Sequence, residues 1–347
     1  MLRALQRVLA DLDPHHDAAR WLQVLVAGGL YTLPMPGGGQ TLQRWQALSD
    51  VAAHDLSLAK LYEGHTDALG ILTELSHPSP APPTSVWGMW AAEAPGVRVL
   101  IQPDAAATAG RVRLSGVKRW CSGAAFVSHG LLTTWHADGR GPQLVAVPMR
   151  QPGVGVHTEP WQAVGMSASA SVDVAFDGAH AELVGQPGDY LSRPGFWQGG
   201  AGIAACWHGG ATHLASVVQR AVAQARAGPA GPSPPSFREA ALGRIDTELT
   251  ATAALLREAA RWIDAHPRHD ASEVALRVRL RAECAAKVVL DTAGSALGAA
   301  PFCRDARFAR MAADLPVFIR QSHGERDFAS LGERVAAGAT GSAGWAL

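Results

Sequence analysis

Cysteine is scarce in this chain. Only Cys121, Cys206, Cys284 and Cys303 occur in 347 residues, far apart and never in a C-x-x-C pair. Neither a disulfide framework nor a cysteine-based zinc site is written in that spacing, which suits a reduced compartment with small buried thiols. Net charge is also absent: 30 Lys and Arg balance 30 Asp and Glu. With no Lys/Arg cluster either, a protein that tracks nucleic-acid phosphates is excluded. No apolar run reaches the length needed to span a bilayer. The start, MLRALQRVLADLDPHHDAARW, is amphipathic and lacks the apolar stretch of a secretory signal. A cytoplasmic location, no membrane span and no nucleic-acid partner are therefore expected. There is no internal repeat.

What is present is apolar bulk. Hydrophobic residues make up 48% of the chain, enough for a large core or for two or three packed subdomains. The periodicity changes twice along the chain. Residues 1 to about 77 read as helical, with Leu2, Leu5, Val8, Leu9 and Leu12 at helical spacing before Pro14, and further helices near Ala18–Leu30, from Thr41 to His54 with Thr41 as N-cap, and from Ser57 to Leu75. The proline-rich segment 77–85 marks a boundary. From Val86 to Val184 short alternating runs take over, at Val86–Ala92, Val97–Gln102, Arg111–Trp120, Val127–Trp135, Gln143–Pro148, Val172–Phe176 and Ala181–Val184. Their spacing predicts a β-barrel or sandwich. Helical period returns after Phe196, with helices near Gly200–Arg226, Phe237–Ala265, Ala271–Leu297 and from Cys303 or Asp305 toward Leu331, a four-helix-bundle pattern. The predicted fold is α+β in three segments: an N-terminal helical domain over 1–85, a middle β-barrel or sandwich domain over 86–192 and a C-terminal four-helix bundle over 193–347.

The chemistry concentrates in Arg111–Trp135, RVRLSGVKRWCSGAAFVSHGLLTTW. It reads as a strand, a turn at Ser115-Gly116, a second strand through Trp120, and a break at Gly123-Ala124-Ala125. At that break an aromatic, a thiol, a hydroxyl and a glycine stand together, Trp120-Cys121-Ser122-Gly123. A flat aromatic beside small donors and exposed backbone N–H groups suits a planar, hydrogen-bonding ligand such as a flavin ring. The plainer alternative is a β-hairpin with a buried tryptophan.

LSGVKRWCSGAAFVSHGLL resembles the middle β-domain of the acyl-CoA dehydrogenase superfamily, where an L-x-G-x-K-x-W-x-[ST]-x-[GA] strand lies against the flavin of FAD. A second block, Gly153–Leu191, follows with Trp161, Gly165-Met166, Ser169, Ser171-Val172 and Phe176-Asp177 in the family's order. Arg193–Ala211 resembles the entry to its helical bundle. The match is colinear from about Val86 to Ala211. The resemblance implies FAD as cofactor, an acyl thioester as substrate, an electron acceptor not specified by the motifs, and a homodimer or homotetramer with cofactor contacts across subunits.

It also implies site residues. Trp120, Cys121 and Ser122 would line one face of the isoalloxazine, with Ser122 donating to its polar edge. The family's Thr-Glu-Pro turn falls on Trp90-Ala91-Ala92-Glu93-Ala94-Pro95-Gly96, where the threonine is missing and the backbone N–H groups of Ala91–Glu93 remain. Arg226 stands where the family's arginine reaches the FAD pyrophosphate of a neighbouring subunit. The alternative is a solvated helix-end cation. The family's α-proton is removed by a glutamate, and its two usual places fall here near Gln321-Ser322 and Gln198-Gly199, neither acidic. His323, Glu325 and Gln321, in IRQSHGERD, are the remaining candidates for acid–base work, against the reading of a solvated helix end. His208 either faces a substrate pocket or packs. The histidines of His15-His16-Asp17 and His266-Pro267-Arg268-His269-Asp270 lack metal-ligand spacing, and no metal is expected.

Three functions follow. The first is a flavoenzyme that oxidises the Cα–Cβ bond of an acyl thioester. The second is a flavin-dependent monooxygenase on the same fold, which needs no glutamate base. The third is a catalytically degenerate homologue used for binding.

Overall fold

A computed structural model describes residues 1–13, 17–77, 82, 84–103, 110–227 and 236–338. The segments between them, among them Pro14, His15 and His16, lie outside the described residues. The chain falls into two compact units, and the N-terminal helices are shared between them. One comprises Met1–Leu33 with Ser57–Phe196, the other Pro34–Leu56 with Trp197–Leu347.

The first unit contains α1 (Leu2–Ala10), α2 (Ala18–Ala27), nearly all of α4 (Leu56–Glu74) and seven strands; α3 (Thr41–His54) belongs to the other. Asp17 caps α2 by accepting the Arg20 N–H. The strands are β1 (Trp87–Trp90), β2 (Val99–Pro103), β3 (Arg111–Ser122), β4 (His129–His136), β5 (Pro142–Pro148), β6 (Val154–His157) and β7 (Ser171–Val184). Pairings run β2–β3–β7–β5–β4 and return from β4 to β2, a closed circuit; β1 lies parallel beside β4, and β6 antiparallel beside β7. On α4, Ala68, Ile71 and Leu72 form an i, i+3, i+4 stripe. It packs on Trp87, Leu131, Leu144, Ala146 and Val184.

Three strand-level expectations change. Ser115-Gly116 is no turn, because β3 runs unbroken from Arg111 to Ser122. Gly116 takes φ +120°, and a Cβ there would lie 2.2 Å from the Arg98 carbonyl oxygen, so this glycine permits close approach of β2. The runs Val172–Phe176 and Ala181–Val184 are one 14-residue strand. Gly178, at φ +70°, is the extra residue of a β-bulge opposite Leu114-Ser115 and does not reverse the chain. Finally, β6 was not anticipated, since Gly153 and Gly155 dilute its alternation.

In the second unit, α7 (Ile203–Arg226), α8 (Phe237–Ala265) and α9 (Ser272–Leu297) pack on one another, and α3 packs on α7. Gly209 allows that approach: a Cβ there would sit 2.2 Å from the Ser49 carbonyl oxygen. The short helices α5 (Asp189–Ser192) and α6 (Gly195–Gly200) precede α7. Thr41 is the first residue of α3 and not its N-cap. The Asp264 carboxylate of α8 caps the helix from outside, taking the Gly39 and Thr41 N–H groups and the Thr41 hydroxyl. The single helix expected from Cys303 to Leu331 is broken into α10 (Ala300–Arg304), α11 (Ala306–Phe318), a 3-10 turn (Ile319–Gln321) and α12 (Glu325–Ala336). Asp305 restarts the chain by capping α11, and Gly324, at φ +54° and ψ −115°, leaves helical space before α12.

Candidate functional site

The corner at 120–122 is built by a bulge. Register between β3 and β7 slips between Lys118 and Cys121, so Arg119 and Trp120 face a single residue on β7. Trp120 pays for this with φ +62°, and its indole is 58% exposed. Four non-glycine residues have positive φ among the described residues; three of them, Trp120, Met166 and Ala170, belong to this corner. Strain of that kind, held in place by surrounding structure, marks sites where a side chain must be aimed.

Met166 and Ala170 flank the 3-10 turn Ser167–Ser169, which accepts the Gly123 N–H at the Ser169 carbonyl, 2.9 Å away. A string of hydroxyls follows. Ser122 Oγ lies 2.7 Å from Ser171 Oγ, which lies 3.0 Å from Ser169 Oγ, and Ser169 donates to the Met166 carbonyl at 2.8 Å. The Ser122 carbonyl accepts the Trp90 indole N–H at 3.0 Å. Trp90 itself fits beneath only because its strand neighbours are glycines: a Cβ on Gly88 or Gly130 would lie 2.6 or 2.4 Å from its ring. Ser122 is thus held at both ends. It lines a narrow cleft with Lys60, Leu61 and Gly64 of α4, with Trp87, Gly88 and Met89 of β1, and with Val127.

Cys121 faces the other way. It is fully buried, its thiol rests on the Lys118 carbonyl at 3.3 Å, and burial pushes the thiol far up from its ordinary range. It packs beneath the corner, and the expectation that it lines a ligand face gives way to a structural role, because alternation turns it inward once Trp120 is bulged out.

Glu93 is engaged by its side chain. Its carboxylate accepts from Lys118 Nζ at 2.8 Å, from the Thr133 hydroxyl, and from the Trp135 indole at 3.1 Å. Partial burial would raise its pKa, but the Lys118, Thr133 and Trp135 donors and the Lys118 charge outweigh that and hold it low. Lys118 is 3% exposed and also donates to both oxygens of Thr133; burial pulls its ammonium below the usual lysine range against the opposing pull of Glu93. This pair ties the loop after β1, where partly buried Ala91 lies, to β3 two residues before Trp120.

The remaining candidates belong to the second unit. Arg226, at the end of α7, forms an ion pair with Glu239 of the capping box that opens α8. Gln321 is exposed, and its carbonyl accepts from Arg279. His323 is exposed beside Asp327, with Nδ1 at 3.5 Å, and Glu325 is an exposed first residue of α12. Gln198, near the second place where the resemblance implies a glutamate, is buried and donates its amide to the Pro267 carbonyl. His208 is largely buried, and burial, with Arg257 nearby, lowers its pKa to about 4. His266 stacks on Trp262, with ring centroids 4.6 Å apart. Among the described residues no three His, Cys, Asp or Glu side chains come together as metal ligands, and no described helix is long and apolar enough to cross a membrane.

Ser169, Ser171 and Lys118 had entered the sequence reading only as spacing within motifs. The contact of the two serines with the corner depends on pairing between β3 and β7, with Ser122 and Ser171 49 residues apart, and that of Lys118 on Glu93 and Thr133 folding against β3, which no local pattern reveals.

The exposed Trp120 ring, with the Ser122 hydroxyl two residues along the same strand, presents a flat apolar face beside a polar group, a combination that suits a planar ring carrying a polar edge, as a flavin does. The chain matches no protein-family model, and no curated protein aligns with it significantly. Solved structures do resemble it. KijD3 in complex with FMN and an amino-keto dTDP-sugar superposes with a TM-score of 0.78 at 20% identity, covering 97% of this chain and 92% of that one. Methanesulfinate monooxygenase MsuC from Pseudomonas fluorescens gives 0.77 at 18%, covering 96% of each chain. Dibenzothiophene monooxygenase TdsC from Paenibacillus sp. A11-2 gives 0.75 at 19%, covering 95% of this chain and 96% of that one. The chain therefore shares the fold of these structures, acyl-CoA dehydrogenase-like, mixed in helix and sheet with a helical C-terminal part.

Proposed function

We propose that this protein is a flavin-dependent monooxygenase that uses reduced FMN and molecular oxygen to oxygenate a small molecule. One oxygen atom enters the substrate, the other leaves as water, and the reduced flavin, when bound, supplies both electrons. The observation that carries the reading over acyl-thioester oxidation is the absence of a base. At the two places where the family keeps its glutamate stand Gln321 and a buried Gln198 amide committed to Pro267. Without a carboxylate there, nothing at those places takes the α-proton. The monooxygenases among the similar folds point the same way.

FMN in place of FAD is supported by the ligands of KijD3 and of TdsC, and by Arg226. A cofactor without pyrophosphate leaves that guanidinium no diphosphate to hold, and it is already paired with Glu239. Within this reading Trp120 provides the stacking face and Ser122 the polar contact at the ring edge. His323 is the proposed proton donor or substrate-orienting group.

The test is oxygen consumption with FMN, NADH and an added flavin reductase. Substrate-dependent uptake with one oxygen atom incorporated from labelled oxygen is expected, and acyl-CoA esters of any chain length should leave the flavin spectrum unmoved. Anaerobic bleaching by an acyl-CoA would return the dehydrogenase reading. Protein that neither binds FMN nor gains thermal stability from it would favour the degenerate homologue.

A further inference from the structure

Where α3 ends and α11 begins, the second unit gathers five basic side chains, His54, His213, Arg220, Arg307 and Arg310. Arg307 donates Nε to the His54 carbonyl at 3.3 Å and Nη2 to the Ala53 carbonyl at 3.1 Å, and Arg310 reaches the Asp55 carboxylate at 3.3 Å. The pull of a helix C-terminus on cations explains those two arginines. It does not explain His213 and Arg220, which α7 brings to the same place on one face, two turns apart. Arg220 donates to the Ser216 hydroxyl at 3.0 Å, and Ser216 donates to the His213 carbonyl at 2.7 Å. The acids that face the group are Asp55, taken by Arg310, and Asp305, turned to the first N–H groups of α11.

The like charges work against one another. Burial brings His213 down to about 4, and Arg307, Arg220 and His54 push it the same way against Asp305. His54 is lowered by burial and by Arg307 and Arg310, against Asp55. Arg307 is itself drawn below the usual arginine range by burial, with Arg220 adding to it. Donors are left over as well. Neither ring nitrogen of His213 nor Arg307 Nη1 has a partner among the described residues, and Arg220 gives only one of its N–H groups, to Ser216. Arg220 and Arg307 are exposed, so solvent reaches them. Unspent guanidinium N–H groups beside two neutralised histidines are what an oxyanion would relieve.

We infer that His213 and Arg220 of α7 with Arg307 of α11 form a binding site for a tetrahedral oxyanion, phosphate or the phosphoryl group of a small molecule, which is taken up together with protons on His213 and His54. The site is independent of the flavin reading, since none of these residues belongs to the corner at 120–122. The arginines supply permanent charge. His213 passes from neutral imidazole to imidazolium, the proton coming from solvent, and becomes a third charged donor. The bound form then holds protons that the free form lacks, so affinity rises as pH falls.

Calorimetric titration with sodium sulfate tests this, with chloride holding the ionic strength constant. Sulfate keeps its double charge from about pH 5.5 to about 8, so any pH dependence over that range belongs to the protein. One saturable site per chain is expected, its affinity rising by up to about tenfold for each pH unit of acidification, as one proton enters with the anion. Buffers of different ionisation heat count that proton directly. Arg220→Met and Arg307→Met should each weaken binding about tenfold or more, the share of a charge-assisted hydrogen bond. His213→Phe should bind weakly and lose most of the pH dependence. Arg307 also holds the end of α3, so Arg220→Met guards against a folding defect: without sulfate it should unfold at or above the native temperature, because a repelling cation is gone. Inorganic phosphate and adenosine monophosphate form a second arm. Tighter binding of the nucleotide makes the ligand a phosphorylated small molecule, and equal binding makes it the free anion. Sulfate binding that does not saturate, that is equal in native protein and both arginine variants, or that ignores pH overturns the proposal.

Discussion

At the scale of single residues, two chemical predictions follow from burial. Cys303 is exposed, whereas Cys121 and Cys206 are buried and the Cys121 thiol is driven far from ionisation. A thiol reagent should therefore label Cys303 in native protein and reach Cys121 and Cys206 only after unfolding, which mass spectrometry of peptides resolves. The second concerns the ion pair behind the corner. Glu93→Gln leaves the Lys118 ammonium, 3% exposed, with only Thr133 for company. Removing one partner of a buried pair is costly, but Glu93 is 36% exposed and water screens it, so a loss of about 2 kcal/mol is expected in urea unfolding. Glu93→Gln with Lys118→Met should recover part of that loss, because no uncompensated charge remains. Additive losses in the double variant would show that the two groups do not act as a pair.

At the scale of elements, caps and bulges decide where helices and strands begin, and they explain which boundaries the sequence discloses. Helix α8 was legible at both ends because its signals are local, the Gly/Pro/Ser-rich break before Phe237 and His266-Pro267 after Ala265, and the structure adds a capping box of Ser236 with Glu239 at its start. The N-terminus of α3 was not, because its cap comes from Asp264, more than two hundred residues away. The same contrast holds in the sheet. Alternation disclosed β3, β4 and β5 within two residues, but Gly116 read as a turn and the stretch around Gly178 as a gap between two strands, since a glycine serves a reversal and a bulge equally and only the partner strand distinguishes them. The corner shares this division. Trp120 and Ser122 were legible as an unusual local cluster, while the Ser169–Ser171 string and the inward turn of Cys121 needed the register between β3 and β7. Asp264→Ala tests the remote cap: α3 loses the acceptor for the Gly39 and Thr41 N–H groups, and stability should fall by about 1–2 kcal/mol. Hydrogen exchange should quicken at 39–43 first. Unchanged protection there would mean that water or another group replaces the carboxylate without cost.

At the scale of the whole molecule, a neutral balance of charge hides an acid sensitivity that net charge alone does not foresee. His65, on α4, is fully buried, and its pKa is lowered to about 4 by burial. Its Nδ1 accepts the backbone N–H of Trp87 at 3.2 Å, at the start of β1. A protonated ring would carry a hydrogen on that nitrogen and lose the bond as well as its burial. His208 and His213 are lowered to about 4 by burial in the same direction. In the unfolded chain each titrates near its ordinary value of about 6.5. Between the two values the unfolded state holds the extra proton, so stability rises with pH across that window. The contribution is complete above about pH 6.5 and is lost progressively down to about pH 4. For His65 the loss is about 3 kcal/mol, roughly 1.4 kcal/mol for each pH unit between the folded and unfolded values. Denaturant unfolding of native protein and of His65→Gln at several pH values between about 4 and 7 isolates that share. Glutamine keeps an acceptor for the Trp87 N–H and cannot titrate. His65→Gln should be less stable near neutrality through imperfect packing, yet fall less steeply on acidification, so that the two curves converge toward pH 4. Parallel curves would mean that His65 does not stay neutral in the fold, and the acid sensitivity would then have to come from the other histidines that burial shifts the same way, His129, His208 and His213 among them.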